Sequence, residues 1–402
     1  MSVPVRYHAL DAVRAFALLA GIALHSTLSF LPGMREGNWP ISDDSSSIFL
    51  AAVFFVVHVF RMSLFYAMAG FFTHLLLEQL GVYGLIRNRL RRIALPFVVA
   101  MLVVMPLLLP SFIWAKNQLG MTGWPTIKMP IPEPQPPPWG HLWFLYLLLV
   151  LYALWLVMRA GAVSLDRRGS FVRLLDRAFA AVTANPLGPV VFATPTAVLL
   201  YFTPWWQMWT GIPAPVMGPI PNLPAVLAFG SAFAFGWFLH RQPGLLEALQ
   251  RNWWRNLVVA VGLSIVAITL IGAVPKFYDF ELPRGERIAY AISYNLATWF
   301  WIFGLLGAAV RFLSAPSRSW RYLADASFYM YLVHLPIVYA LQAAMIRWPI
   351  HWSVKYSLIL AITTGVLLAS YHYCVRSTFV GSFLSGRKYP RSVSATPEVS
   401  PG

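Results

Sequence analysis

The stretch Leu10–Phe30, LDAVRAFALLAGIALHSTLSF, is long and apolar enough to cross a bilayer, yet it carries Asp11, Arg14 and His25. A membrane crossing needs about 20 mostly apolar residues. Ionisable groups inside such a run face a bundle interior or a wet cavity rather than lipid. Arg14 and His25 are eleven positions apart, which on a helix is three turns plus about 20°, so they share a face with a rise of about 16 Å. Asp11 lies three residues before Arg14 on nearly that face and can pair with it. A packed core histidine is the plain alternative for His25.

The remainder of the chain has the same character. Of 402 residues 58% are hydrophobic and only 11% charged, with mean hydropathy +0.64, whereas soluble domains average about 25% charged. Ten apolar runs are candidate spans: 12–31, 48–78, 93–114, 140–160, 187–204, 222–240, 254–274, 287–313, 322–346 and 352–375. The second is too long for one perpendicular crossing, so it tilts or projects from the bilayer. With the N-terminus inside, the inner segments hold 21 of the 30 Lys and Arg residues and the outer ones 8, with Arg61 inside a span. That bias places both termini in the cytoplasm. It accounts for the net charge of +16 without nucleic acid as a partner. The expected fold is therefore an all-α polytopic membrane protein, about ten transmembrane helices around a polar chamber. A domain over residues 1–385 precedes a disordered cytoplasmic tail, 386–402. No cleavable signal peptide is expected. The single cysteine, Cys374, excludes a disulfide framework and a cysteine-rich metal site.

The outer loops are aromatic. Residues 129–144, MPIPEPQPPPWGHLWF, form a proline-rich segment feeding Trp139 and Trp143, and 203–211, TPWWQMWTG, add a second cluster. An interfacial belt is the ordinary meaning of such residues; a sugar-stacking surface is the sharper one.

Further ionisable residues recur at similar depth. In HVFRMSLFYAMAGFF, His58 and Arg61 are i and i+3 and so neighbours on one face. Arg61 either ties helices together or receives an anionic group. RNRLRRIALPF offers Arg87, Arg89, Arg91 and Arg92, which cannot all face one way: some anchor the helix at headgroups, and some are available to phosphate. DASFYMYLVHLPIV places Ser327, Tyr331 and His334 on one face, and His141 stands at the outer mouth of the fourth span. Polar groups at matching height on different helices outline a chamber. No phosphate-binding loop, zinc-protease or serine-hydrolase motif competes, and no metal site is expected.

These blocks, with Arg14-x10-His25, HVFRMSLFYAMAGFF, Arg89-x-x-Arg92 followed by Pro96, and ASFYMYLVHLPIV, resemble the acyltransferase-3 family of membrane proteins, in its order over nearly the whole chain. HLWFLYLLLV and SFLSGRK add support. Within the family the sequence looks most like the branch that succinylates osmoregulated periplasmic glucan. The resemblance implies transfer of an acyl group, succinyl in that branch, from cytoplasmic acyl-CoA as co-substrate to hydroxyls of an extracytoplasmic glycan, with no bound cofactor. It implies His25 as the essential histidine, Arg14 as its partner, and Arg89 and Arg92 as the donor-binding pair. His58, Arg61, His141, Ser327, Tyr331 and His334 then become candidates for an acyl or acceptor pocket. It also implies a bacterial inner membrane and contact with lipid; homo-oligomerisation is compatible with the sequence. Two positions depart from the pattern. Leu335 stands where the glucan enzymes carry a second histidine, and Ala69-Gly70 replaces a Ser-Gly pair, so no hydroxyl there can be catalytic. The alternatives are an O-acetyltransferase acting on another envelope polysaccharide or lipid, and a non-enzymatic glycan transporter using the same chamber.

Overall fold

The computed structural model describes residues 7–34, 41–121, 137–276 and 281–385. Fourteen α-helices run in the order α1 (His8–Thr27), α2 (Ile48–Arg89), α3 (Leu95–Val103), α4 (Leu108–Leu119), α5 (Trp143–Leu165), α6 (Ser170–Ala184) and α7 (Gly188–Tyr201). They continue with α8 (Leu223–Arg241), α9 (Leu245–Arg251), α10 (Trp253–Ile271), α11 (Arg284–Phe312), α12 (Arg318–Met345), α13 (Trp352–Ser370) and α14 (Phe379–Ser385). Among the described residues there is no strand, only an isolated bridge between Pro138 and Met217. The expected tail, 386–402, and most of the proline-rich segment lie outside the described residues.

Among the described residues eight helical stretches are long and apolar enough to cross a membrane, and large apolar side chains such as Leu102, Val157 and Val258 point outward, each more than half exposed. The protein is a multi-pass membrane protein: such an outer surface is stable against lipid and not against water. One of the eight stretches, Ile48–Leu119, holds 72 residues, and its geometry explains the over-long second span. At Gly81 the backbone takes φ 66° and ψ −178°, a conformation essentially reserved for glycine. Beyond it the chain doubles back. Arg89 Nη2 donates to Thr73 Oγ1 at 3.0 Å, whereas sixteen residues of straight helix would put the two positions about 24 Å apart. A π-helical turn, Leu90–Ala94, joins this return to α3. The expected span at 187–204 is α7, whose 14 residues reach about 21 Å, short of the roughly 30 Å hydrocarbon core. It is joined to α6 through a bend of 107°.

Caps start the long helices where the sequence supplies small oxygen-bearing side chains. Ser47 Oγ accepts from Leu50 N–H, Asn222 Oδ1 from Ala225 N–H, and Ser317 Oγ from Trp320 N–H, each satisfying an orphan donor of α2, α8 or α12. The tightest pair is α2 with α8. A Cβ on Gly70 would collide with the Phe233 carbonyl, and one on Gly236 with the Ala67 carbonyl. Close backbone approach through small residues is how helices gain dispersion contacts in lipid, where apolar burial offers no driving force.

Two tryptophans of the aromatic outer stretches depart from the expectation. Trp206 and Trp209 are buried, packed on Tyr290 and Phe55 respectively, with Trp206 Nε1 donating to the Gly211 carbonyl. They form neither a lipid-interface belt nor a sugar platform. Hydropathy alone could not distinguish a tryptophan at the interface from one sealed beneath a loop.

Candidate active site

Residues of α1, α2, α5, α12 and α14, with the π turns after α2 and α13, surround a cavity of about 370 Å³. Arg14, Arg89 and Arg92 line it, and so do Arg61, Ser327, Tyr331 and His334. Seven of the ten candidate residues therefore meet on one surface. The π turn sorts the arginine cluster: Arg89 and Arg92 face the cavity while Arg87 and Arg91 are exposed. The expectation that they could not share a direction is met, and the pair that turns inward is the one the family resemblance singles out.

Each inward arginine is held from behind. Arg14 Nη2 donates to the Ala324 carbonyl at 2.8 Å, and Asp11 stands 3.9 Å away, as the i, i+3 spacing anticipates. The Arg89 guanidinium, besides its bond to Thr73, lies 4.8 Å from the centre of the Tyr152 ring, a cation–π contact. Arg61 differs. Its guanidinium rests against Gly21, where a Cβ would collide with Nη1, and its closest polar contact is Met62 Sδ at 3.4 Å. Its Nε is buried without a partner, and among the described residues no ion pair neutralises it.

At the end of the cavity away from Arg89 and Arg92 stands a row of histidines. The His25 ring centre is 5.2 Å from that of His334, and His334 is 5.5 Å from His141. Of the three, only His334 lines the cavity. His334 Nδ1 lies 2.8 Å from the Tyr331 carbonyl, which can only accept, so Nδ1 carries the proton and Nε2 keeps its lone pair. That Nε2 is buried and unpartnered.

Proline explains how His141 is placed. Pro336 interrupts α12 and has no N–H for the Leu332 carbonyl four residues back. His141 Nε2 donates to that released carbonyl at 3.2 Å, and Tyr331 Oη donates to the His141 carbonyl at 2.7 Å. The histidine row thus comes from α1, α12 and the short turn before α5, and Leu335 packs elsewhere, in an apolar cluster with Phe30 and Ile41.

Two candidates are less available. The Ser327 hydroxyl donates to the Ala324 carbonyl at 2.7 Å. His58 does not reach the cavity wall: its ring packs on Phe54 at 4.2 Å and Nδ1 donates to the Phe54 carbonyl. Its neighbour spacing to Arg61 was right, but its rotamer points up its own helix.

One cluster escaped the sequence reading. His74, Glu78 and His240 converge beside the Arg89 end of the cavity, with the two Nδ1 atoms 2.7 Å apart. The available signal was a repeated pattern, Gly70-Phe-Phe-Thr-His74 and Gly236-Trp-Phe-Leu-His240.

Comparison with known proteins finds relatives over most of the chain. "Glucans biosynthesis protein C" of Shigella dysenteriae is 26% identical over 350 residues, covering 83% of this chain and 82% of that protein. Its namesake from Escherichia coli K12 matches to the same extent. No solved structure matches. The model of the acyltransferase-3 family, described as an acyltransferase domain, matches residues 7–372, and the chain belongs to that family.

Proposed function

We propose that the protein moves a succinyl group from cytoplasmic succinyl-CoA to hydroxyls of an extracytoplasmic glucan, in a bacterial inner membrane. It would cross that membrane ten times with both termini inside. The observation that carries the reading is one cavity with guanidinium groups at its mouth and a histidine row at its end. Phosphates of CoA would sit at Arg89, Arg92 and Arg14, because guanidinium binds phosphate in bidentate fashion. The pantetheine arm would run along Phe72, Leu76 and Leu148 of the cavity wall. The free carboxylate of succinyl would meet Arg61, a partly buried cation without an ion-pair partner among the described residues. The membership of the family and the names of the relatives support the acyl chemistry and the glucan acceptor.

The acceptor hydroxyl would attack the thioester carbon while imidazole takes its proton. His25 would serve as that base, with His334 aligning it or passing the proton on. The tetrahedral intermediate collapses with loss of the CoA thiolate, which recovers the proton from imidazolium. One ester forms and one thioester breaks, without a redox step.

Mass spectrometry of periplasmic glucans from cells with and without the protein tests the reading. Succinyl mass increments that vanish in the deletion and in His25→Ala are expected. Unchanged glucans would remove this acceptor, and movement of unmodified glycan without thioester consumption would replace the enzyme by a transporter.

A further inference from the structure

We infer that His74, His240 and Glu78 form a binding site for a divalent transition-metal ion that clips α2 to α8. The helices run parallel in a fixed register. Gly70 packs on the Phe233 backbone and Gly236 on the Ala67 backbone, so each residue of this segment of α2 lies opposite the one 166 positions later. One turn beyond the two glycines, the same register brings His74 to His240. Glu78 follows His74 by four residues, on the same face of α2.

Chemistry at this point favours a cation. His74 Nδ1 and His240 Nδ1 face one another at 2.7 Å. At that distance the two nitrogens are joined either by an Nδ1–H that one neutral ring donates to the lone pair of the other, or by a metal ion that takes both lone pairs. Glu78 supplies the third donor, its oxygens 3.5 Å from His74 Nδ1 and 3.9 Å from His240 Nδ1. A tetrahedral ion with bonds of about 2.0–2.2 Å spaces its ligands about 3.3 Å apart. The three observed separations bracket that value, and the histidines need open by only about 0.6 Å to meet it. Two imidazoles and one carboxylate suit zinc, cobalt or nickel rather than calcium or magnesium. Rotation of the rings is restrained by Trp237, edge-on to His74 at 4.7 Å, and Phe71, edge-on to His240 at 4.8 Å. The nearest competing cation, Arg241, is occupied by Asp176 in a two-point pair of 2.6 and 2.8 Å. Both histidines are buried while the Glu78 side chain is 59% exposed, so an ion has an open approach and a place for water as fourth ligand.

The test uses the full-length protein in detergent, stripped with chelator and titrated with Co²⁺. One equivalent with the visible absorption of a four-coordinate cobalt site is expected, displaced by Zn²⁺. His74→Gln and His240→Gln should each weaken binding by more than about a hundredfold, beyond the effect of losing an outer-sphere partner. Glu78→Gln, at an exposed position where folding is not at risk, should weaken it as well. Zn²⁺ should raise the unfolding midpoint of the wild-type protein and leave that of the histidine variants unchanged. Absence of stoichiometric binding would reduce the pair to a proton-shared hydrogen bond, and binding that survives the substitutions would place the ion elsewhere. Either result overturns the site.

Discussion

Two cations among the described residues of this bundle, Lys355 and Arg61, are treated in opposite ways. Lys355 has a side chain 2% exposed and reaches Asp43, itself 3% exposed, at 2.6 Å. Arg61 is partly buried and faces the cavity, whose lining includes Asp325, yet among the described residues no carboxylate lies within ion-pair distance of it. Burying an ion costs several kcal/mol, and a counter-ion in good geometry offsets much of that. The Lys355–Asp43 pair thus closes on itself and joins α13 to the loop before α2. Arg61 leaves a charge uncompensated, the condition that makes a site attractive to an anion. A buried pair speaks of architecture, whereas a buried single charge speaks of a ligand.

The largest effect should come from breaking the closed pair. Lys355→Met leaves Asp43 buried and alone, which costs about 3–5 kcal/mol, and the unfolding midpoint in detergent should fall accordingly. Adding Asp43→Asn should recover most of the loss. A single variant as stable as wild type would show that water reaches Asp43 and that the pair is not structural.

Arg61 should answer in reverse. Arg61→Gln removes an unpaired buried charge, so stability should hold or rise, while succinyl transfer falls by about a hundredfold or more, the scale for losing one charge-stabilising donor in an active site. Arg61→Lys should shift preference from succinyl toward acetyl donor, since ammonium lacks the bidentate fork. Unchanged donor preference at unchanged rate would make Arg61 a strut, and the contrast with Lys355 would collapse.

The arginines around the π turn sharpen the same distinction at the cavity mouth. Arg89→Ala or Arg92→Ala should raise the KM for acyl-CoA about tenfold each, the scale of one charge-assisted hydrogen bond. Arg87→Ala and Arg91→Ala, whose side chains point outward, should leave it unmoved. Equal effects from all four would mean a diffuse electrostatic attraction rather than a formed phosphate site.

How much of this was legible beforehand follows from the same physics. In an apolar chain each ionisable residue stands out, so Arg14, Arg61, Arg89, Arg92 and His334 were found from sequence and do line one cavity. Helical spacing also foresaw the Asp11–Arg14 approach. Spacing carries no information across helices, however. The Lys355–Asp43 pair joins residues 312 positions apart and His74 meets His240 across 166, so neither was visible. Nor does spacing set rotamers, which is why His58 was placed at the pocket although its ring turns to Phe54. The fold-back at Gly81 left only a run too long for one crossing, because a single glycine in an apolar segment does not announce a positive φ.

A third kind of charge completes the comparison and should give the smallest effect. Asp166, in the loop between α5 and α6, is partly exposed, and its carboxylate accepts from the N–H groups of Ser170, Phe171 and Val172 at 2.9, 2.7 and 3.1 Å. Desolvation would push its pKa up, but these donors, with the Ser170 hydroxyl, outweigh it and hold the carboxyl below its usual range. A group whose folded pKa is depressed contributes fully above its unfolded value of about 3.9. That contribution is lost as pH falls through the folded value. Acidification below pH ~4, or Asp166→Ala at neutral pH, should therefore fray the first turn of α6 without unfolding the bundle. Hydrogen exchange at Ser170–Val172 reads this directly: protection should drop there and stay constant in α2 and α8. Unaltered protection in Asp166→Ala would mean that packing holds the turn. Solvent would then already do for this charge what Asp43 does for Lys355, and what a bound anion would do for Arg61.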